Sequence, residues 1–437
     1  MYKMKQLISF YLVFLSLMLF SCNNDNPPPP SPINPDDELM DVVQQQTFKF
    51  FWDNADPSSG MARDRNGVSL VTTGGSGMGV MAILVGIERN FITRDEGLDR
   101  IIKIVGFLET ADRFHGVWPH WLNGSTGKTI PFSQYDNGGD LVETAFLIEG
   151  LLTAQSYFDG IDSNEEELRN RIQVLWEEVE WDWYRRDNQN VLYWHWSPNY
   201  GWQMNMQIRG WNECLIIYIL AASSPTHSIP AEVYHQGWAR NGSIKNGNIY
   251  EGFELPLGPP LGGPLFFAHY SFLGLNPNGL TDQYADYMLQ NKNHSLINFK
   301  YCERNPGNYA GYSDSCWGLT ASDDPDGYSA HSPTNDNGTI SPTAAISSIV
   351  YSPFQSLEAM HYFYGQIGGL VWGEYGFIDA FNKQKNWYAN SFLAIDQGPI
   401  IIMIENYRTG LLWNNFMKNQ DVQNGLTKLG FTYKTAH

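Results

Sequence analysis

The sequence predicts an all-α fold, a barrel of paired helices around one cleft. Three observations point to it. Helical periodicity dominates the chain, the candidate helices follow one another in pairs, and the stretches between them are long and rich in Gly, Pro, Asn and Trp. Apolar spacing predicts helices over about 37–54, 76–90, 94–111, 139–158, 164–182, 205–222, 280–300, 341–350, 354–366 and 398–408. Thr93 and Glu96 have capping-box spacing and mark the start of the third. Roughly ten to twelve helices in about 400 residues fit an (α/α)6 barrel, whose long loops and short hairpins edge a cleft at one end. Periodicity alone leaves an irregular helical array open as well. The run "NVLYWHWSPNYGW", 190–202, alternates like a short hairpin, and no repeat of 20–50 residues is present.

The first residues belong to no domain. Lys3 and Lys5 precede an apolar run, Leu7 to Phe20, which Ser21 and Cys22 close. A short basic start and an apolar core ending at small residues predict a signal peptide over 1–21, too short to span a bilayer. Leu19-Phe20-Ser21-Cys22 resembles a bacterial lipobox, which implies cleavage before Cys22, lipidation of it and a membrane tether. Residues 22–36, "CNNDNPPPPSPINPD", cannot bury a core and read as a stiff, proline-rich tether. Its aspartates resemble export signals of some Gram-negative surface lipoproteins, so the expected location is periplasmic or on the outer-membrane surface. Residues 37–437 then form one barrel domain, expected as a monomer.

The formal net charge is −19; without the leader's two lysines, 25 basic residues face 46 acidic ones, a net of −21. Phosphate contacts need a basic surface, so nucleic acid is excluded as a partner, and a neutral substrate suits the balance. Beyond Cys22 the cysteines are Cys214, Cys302 and Cys316. Export permits a disulfide, with Cys302–Cys316 the plausible pair and Cys214 a buried, inert thiol.

Two motifs mislead. "NGSTGKT", 123–129, has the look of a phosphate loop, but its first glycine falls on Leu122. "GGSGMGVMA", 74–82, fits a loose dinucleotide pattern from Gly77, yet a second helix follows at Thr93 and no strand–helix–strand unit forms. A glycine-rich turn into a helix is the better reading.

The chemistry gathers in carboxylates. Asp136, Asp140 and Glu143 crowd eight residues around Gly138–Gly139 at the mouth of an apolar helix. Acids there can satisfy free N–H groups, and like charges held close raise at least one pKa. Glu213 interrupts the apolar run "QIRGWNECLIIYILAAS" and is either an ion-pair partner of Arg209 or a general acid with a raised pKa. Asp396 precedes "QGPIIIMI" and is either a helix cap or catalytic. The loop 318–342 carries Asp324, Tyr328 and His331; it is no EF-hand and reads as substrate-facing, with a loose calcium site left open. Loop tryptophans, Trp118, Trp121, Trp194, Trp202 and Trp211, suit the C–H faces of sugar rings, and His120 suits their hydroxyls. Carboxylates with tryptophans in an exported helical barrel predict a glycoside hydrolase needing no metal and no organic cofactor.

"GGSGMGVMAILVGIERNFITRDEGLDRI", "RFHGVWPHWLNGSTGKTIPFSQYDNGGDLVETAFLIEGLL", "LGPPLGGPLFFAHYSFLG", "WGLTASDDPDGYSAHSPTNDNGTISPTAA" and "LAIDQGPIIIMIENYRTGLLW" resemble the glucoamylase-like protein family, and within it glycoside hydrolase family 144, the β-1,2-glucanases. The likeness runs from about residue 40 to 432. It implies an (α/α)6 barrel, anomer-inverting hydrolysis of β-1,2-glucan, and a cleft whose acidic positions match Asp136, Asp140, Glu143 and Glu213. Members cut internally or release short oligosaccharides such as sophorose from chain ends. Inversion needs one carboxylic acid and one carboxylate to activate water. The expected assignment is Glu213 as acid and Asp396 as base, with Asp136, Asp140 and Glu143 on sugar hydroxyls or one of them catalytic. Another glucan linkage, transglycosylation and a non-catalytic glycan-binding lipoprotein stay open.

Overall fold

The computed structural model describes residues 34–434. The leader, Cys22 and the tether up to residue 33 lie outside the described residues. Asn34 caps the first helix, which starts inside the expected tether. In chain order the helices are α1 (Pro35–Trp52), α2 (Thr73–Glu88), α3 (Arg94–Leu108), α4 (Leu141–Tyr157), α5 (Ser163–Glu177), α6 (Leu215–Ser223), α7 (Ala231–Val233), α8 (Tyr287–Arg304), α9 (Pro342–Ile346), α10 (Pro353–His361), α11 (Gly368–Val371), α12 (Ala394–Arg408), α13 (Leu411–Lys418) and α14 (Gln420–Lys428). Among the described residues no helix is long and apolar enough to cross a membrane.

The elements form an (α/α)6 barrel. Residues 73–87 of α2, nearly all of α4 and all of α6 are buried, because these helices are apolar all round and have no face to give to water. They make the inner ring with α12, α9 and a stretch of 3-10 turns at 265–272; α9 packs on α12, α12 on α2, α2 on α4, and α4 on α6. Hydrogen bonds from Tyr351 to the Ala268 carbonyl (2.8 Å) and between His269 and Ser348 (3.0 Å) close the ring. Amphipathic helices such as α1, α3, α5 and α14 cover it outside.

The inner helices start at one end of the barrel. Gly74 N–H at the start of α2 donates to Glu143 in the first turn of α4. Thr343 in α9 donates to the Asp396 carbonyl in α12, and Ile216 N–H in α6 donates to Ser271. The glycine-rich 74–82 run is therefore helical, not a turn. A Cβ at Gly77 would sit 2.1 Å from the Phe146 carbonyl, and one at Gly150 would sit 2.2 Å from the Gly77 carbonyl. α2 and α4 cross backbone to backbone there. Gly77→Ala is expected to lower stability by about 3 kcal/mol, read as a shift of the urea midpoint at unchanged slope.

Short antiparallel sheets occupy the connections between helices. β1 (Leu70–Thr72), β2 (Trp121–Asn123) and β3 (Thr129–Ile130) form one antiparallel sheet, and the 123–129 phosphate-loop look-alike is its hairpin turn. β4 (Gly139–Asp140) pairs with β5 (His195–Trp196). The expected 190–202 hairpin thus finds its main partner far away in sequence. β6 (Lys245–Tyr250) pairs with β7 (Phe253–Leu257), and β8 (Ala321–Asp324) with β9 (Gly327–Ala330).

Several expectations are corrected. The helix predicted over 205–222 begins only at Leu215: Gly210 is in a left-handed conformation and the Asn212 side chain turns the chain by accepting from Cys214 N–H. α13 and α14 follow Gly410 and Asn419 and are too short to register as periodic segments. Cys302 and Cys316 are buried free thiols, not a disulfide. Trp118 is fully buried and donates to the Leu108 carbonyl, and Trp211 is buried against Trp238, Phe272 and Tyr287. Both are core residues and present no open ring face to a sugar.

Candidate active site

The acids picked out in the sequence lie at inner-helix starts. Asp140 caps α4: its Oδ1 accepts from Val142 and Glu143 N–H at 3.0 Å each. The β4–β5 register sets His195 opposite Asp140, and β2 begins just after His120. His120 Nδ1 lies 3.1 Å from Asp140, while His195 Nε2 lies 3.3 Å from Asp136 and 3.7 Å from Asp140. Glu143 accepts from Gly74 N–H (2.7 Å) and Thr72 Oγ1 (3.3 Å), with His120 Nε2 4.0 Å away. A Cβ at Gly74 would meet Glu143 Oε2 at 2.6 Å, so only glycine lets this carboxyl seat on the α2 start.

Two imidazoles thus interleave three carboxyls, and crowding does not act on the acids alone. Burial alone would lower the His120 pKa, but Glu143, Asp140 and Asp136 outweigh it and hold the ring at about 9. His195 is likewise raised against its burial by Asp136 and Asp140. Burial would raise Asp140, yet the two rings keep it lowered; Glu143 is raised, by burial first and by the Asp140 charge next. His120, Asp136 and Asp140 are the one group of three among the described residues whose donor atoms converge closely enough for a cation.

Glu213 sits in the turn just before α6, not inside a helix, and no ion pair to Arg209 forms. It is 9% exposed, and burial, with the Glu143 and Asp140 charges, pushes its carboxyl up to about 7. Asp396 is the third residue of α12, behind the cap residue Leu393, so it is not the cap. Burial raises it well above the usual carboxylate range, and Asp379 and Asp323 add to this.

The loop 318–342 divides. Asp324 lies 3.4 Å from the buried His331 and accepts from Asn337, whereas Tyr328 on β9 is half exposed and feels the Asp396 charge. Trp121 donates to Asp64 and packs on the exposed Phe132, which also lies over His120. Trp194 stacks on His195, and the partly buried Trp202 packs on Trp183, Tyr184 and Tyr193. A surface hollow lined by Phe299, Lys300, Phe354 and Glu358 lies elsewhere and lacks such buried acids.

Sequence reasoning missed His195 as an acid partner, and it missed Tyr270, Asp379, Asp323 and Arg65. Tyr270 is buried, and the charges of Asp396, Glu213 and Glu143 all act on it. Asp379 carried a usable signal: it stands alone in "GFIDAF", as Glu213 stands in its apolar run. Arg65 grips Asp323 through both carboxylate oxygens, at 3.2 and 3.1 Å. No local pattern marks that pair.

Fold and site together define a helical barrel with buried carboxyls gathered at its inner-helix starts. The chain belongs to the glucoamylase-like family. The glycoamylase family model, described as "Putative glucoamylase", matches residues 205–420. The chain is 55% identical to the endo-β-1,2-glucanase of Chitinophaga pinensis, solved with sophorotriose and glucose, over 92% of this chain and 99% of that one, with a TM-score of 0.90. It is 46% identical to a β-1,2-glucanase structure from Parabacteroides distasonis, covering 91% of this chain and 60% of that one, TM-score 0.89. A curated relative from that organism, the exo β-1,2-glucooligosaccharide sophorohydrolase (non-reducing end), is 47% identical over 419 residues, 90% of this chain. The chain spans 58% of that relative's length.

Proposed function

We propose that this protein is an inverting glycoside hydrolase that cleaves β-1,2-glucan or β-1,2-glucooligosaccharides and releases short products such as sophorose. The observation that carries the reading is Glu213: a buried carboxyl held up to about 7 by burial, whose charge bears on the buried Tyr270 as that of Asp396 does. A carboxyl in that range keeps its proton near neutrality and can still give it up, as a general acid must. The linkage is supported by what the relatives act on.

Glu213 protonates the glycosidic oxygen as the bond to C1 breaks. Asp396 takes a proton from a water that attacks C1 from the opposite face. Asp136, Asp140 and Glu143, with His120 and His195, bind sugar hydroxyls through their alternating charges. Trp121, Trp194, Trp202 and Tyr328 offer ring faces along the cleft. The test is incubation of the barrel domain with linear β-1,2-glucan, laminarin, cellulose oligomers and amylose. Short oligosaccharides from the first alone are expected. Products from amylose or laminarin instead would overturn the linkage, and binding without products would leave a glycan-capture protein.

The Leu19-Phe20-Ser21-Cys22 pattern supports a second part of the proposal, a lipid-anchored monomer exported in a Gram-negative cell, periplasmic or on the outer-membrane surface. The native protein is expected to partition into detergent and the Cys22→Ser variant into the aqueous phase. Aqueous partitioning of both would remove the anchor.

A further inference from the structure

Resting on the hydrolase reading, we propose that Asp379 is a positioning residue that shares one proton with Asp396, so that the water-activating group is a two-aspartate unit and not a lone carboxylate. Asp379 lies between the barrel's last short hairpins and is 1% exposed; Asp396 is 2% exposed. The backbone holds both. Asp379 N–H donates to the Ser391 carbonyl, Ser341 donates to the Asp379 carbonyl, and Thr343 donates to the Asp396 carbonyl. Gln397, next to Asp396, donates to the Phe377 carbonyl two residues before Asp379, which draws the two segments together, and each carboxyl bears on the protonation of the other. Two carboxylates repel and neither can donate, so the pair is stable only with a proton between them.

The remaining oxygens agree. Asp379 Oδ2 accepts from Asp323 N–H at 2.7 Å, whereas Asp379 Oδ1 and Asp396 Oδ2 are buried and receive no donor from the rest of the protein. Buried polar atoms are costly when left unpaired, and a shared proton relieves that cost. The charged groups that bear most on the pair are Asp323 and Arg65, and the pair in turn bears on Tyr328 and Tyr270. Asp323 opposes a second negative charge on the pair. Arg65, whose backbone bridges to Leu393 beside Asp396, supports the first. One proton and one negative charge is the state this arrangement favours.

The proton balance follows. In the resting pair one carboxyl is protonated and bonded to the other, which carries the charge. As water attacks C1, its proton passes to the charged member, both carboxyls are then protonated, and Glu213 has lost its proton to the leaving oxygen. Release of one proton from the pair and uptake of one by Glu213 restore the start.

The experiment is the pH dependence of kcat and KM on linear β-1,2-glucan for the wild type, Asp379→Asn and Asp379→Leu. A carboxyl proton is a better donor to Asp396 than an amide, and an amide better than a methyl. The acid limb of kcat is therefore expected to move upward by roughly one pH unit in Asp379→Asn and further in Asp379→Leu, with kcat reduced and KM little changed. A purely structural role would scale the whole profile down without moving that limb, and an unmoved limb in Asp379→Asn overturns the proposal. A second readout needs no turnover. Burial holds Asp379 at about 7, above its ordinary unfolded value, so its contribution to stability is full below the unfolded value and is lost as pH rises through about 7. Asp379→Asn and Asp396→Asn are each expected to flatten the wild-type fall in melting temperature between about pH 4 and 8 by a similar amount. No flattening in either overturns the pair, whether or not the hydrolase reading stands. A wild type that leaves every glucan intact sinks the hydrolase reading and the water-activating role together, and the melting curves then decide only whether the proton is shared.

Discussion

Glu213→Gln is expected to lower kcat on linear β-1,2-glucan by about 10³-fold, because the amide keeps the shape and hydrogen bonds of the carboxylic acid but has no proton to give. Its setting explains why the effect is large. Glu213 stands where the chain turns into an inner helix, nearly out of solvent, and its carboxyl is pushed up to about 7 by burial and by the nearby Glu143 and Asp140. The acid works only while protonated, so wild-type activity is expected to fall as pH rises through about 7. An aryl β-sophoroside with a dinitrophenol leaving group needs no proton at the leaving oxygen. On that substrate the variant is expected to stay within about tenfold of wild type and to lose the alkaline limb. A loss of equal size on both substrates would assign Glu213 to positioning or binding instead.

Asp396→Asn is expected to cost about 10³-fold or more in kcat on glucan and on the aryl sophoroside alike, since water must be activated whatever the leaving group. The two substrates therefore separate the acid from the base without a bound ligand. Asp396 is held in the first turn of α12, where the helix dipole favours negative charge; burial disfavours it, and so does Asp379 whenever Asp379 is itself ionised. If Asp379 and Asp396 act as a unit, Asp379→Asn/Asp396→Asn is expected to be no slower than Asp396→Asn, because the first replacement already disables the pair. Near-wild-type turnover by Asp396→Asn would move the base to another cleft carboxyl, with Asp136 the first to examine.

The barrel was legible because its inner helices are long, apolar and well marked at their starts. α2, α4 and α12 were all expected within a few residues of where they lie. The failures share a cause. Residues 205–214 carry helical spacing, but Gly210 and the Asn212 turn decide locally against a helix, while Ile208, Trp211 and Cys214 still bury into the core. Trp118 and Trp211 were expected on the cleft because they stand in loops, yet loops between barrel helices also plug the core, and these two do.

The site was legible by residue type more than by partner. Asp136, Asp140, Glu143, Glu213 and Asp396 are all buried at inner-helix starts, but what sets their charge comes from elsewhere in the chain. His195 reaches Asp140 through a strand pair between residues 139–140 and 195–196, and Arg65 reaches Asp323 across 258 positions. Such contacts leave no spacing rule in the sequence. Asp379 is the exception, since a lone carboxyl in an apolar run signals either a buried partner or chemistry, as it did for Glu213.

The most direct test of the account is to follow cleavage of linear β-1,2-glucan by proton NMR in the first minutes, before the new reducing ends mutarotate. α-Anomeric reducing ends on short β-1,2-linked products are expected first, with the β-anomer appearing only later. New ends that form first as the β-anomer would require a retaining mechanism and contradict the roles of Glu213 and Asp396, and a spectrum without new reducing ends would contradict the hydrolase reading itself.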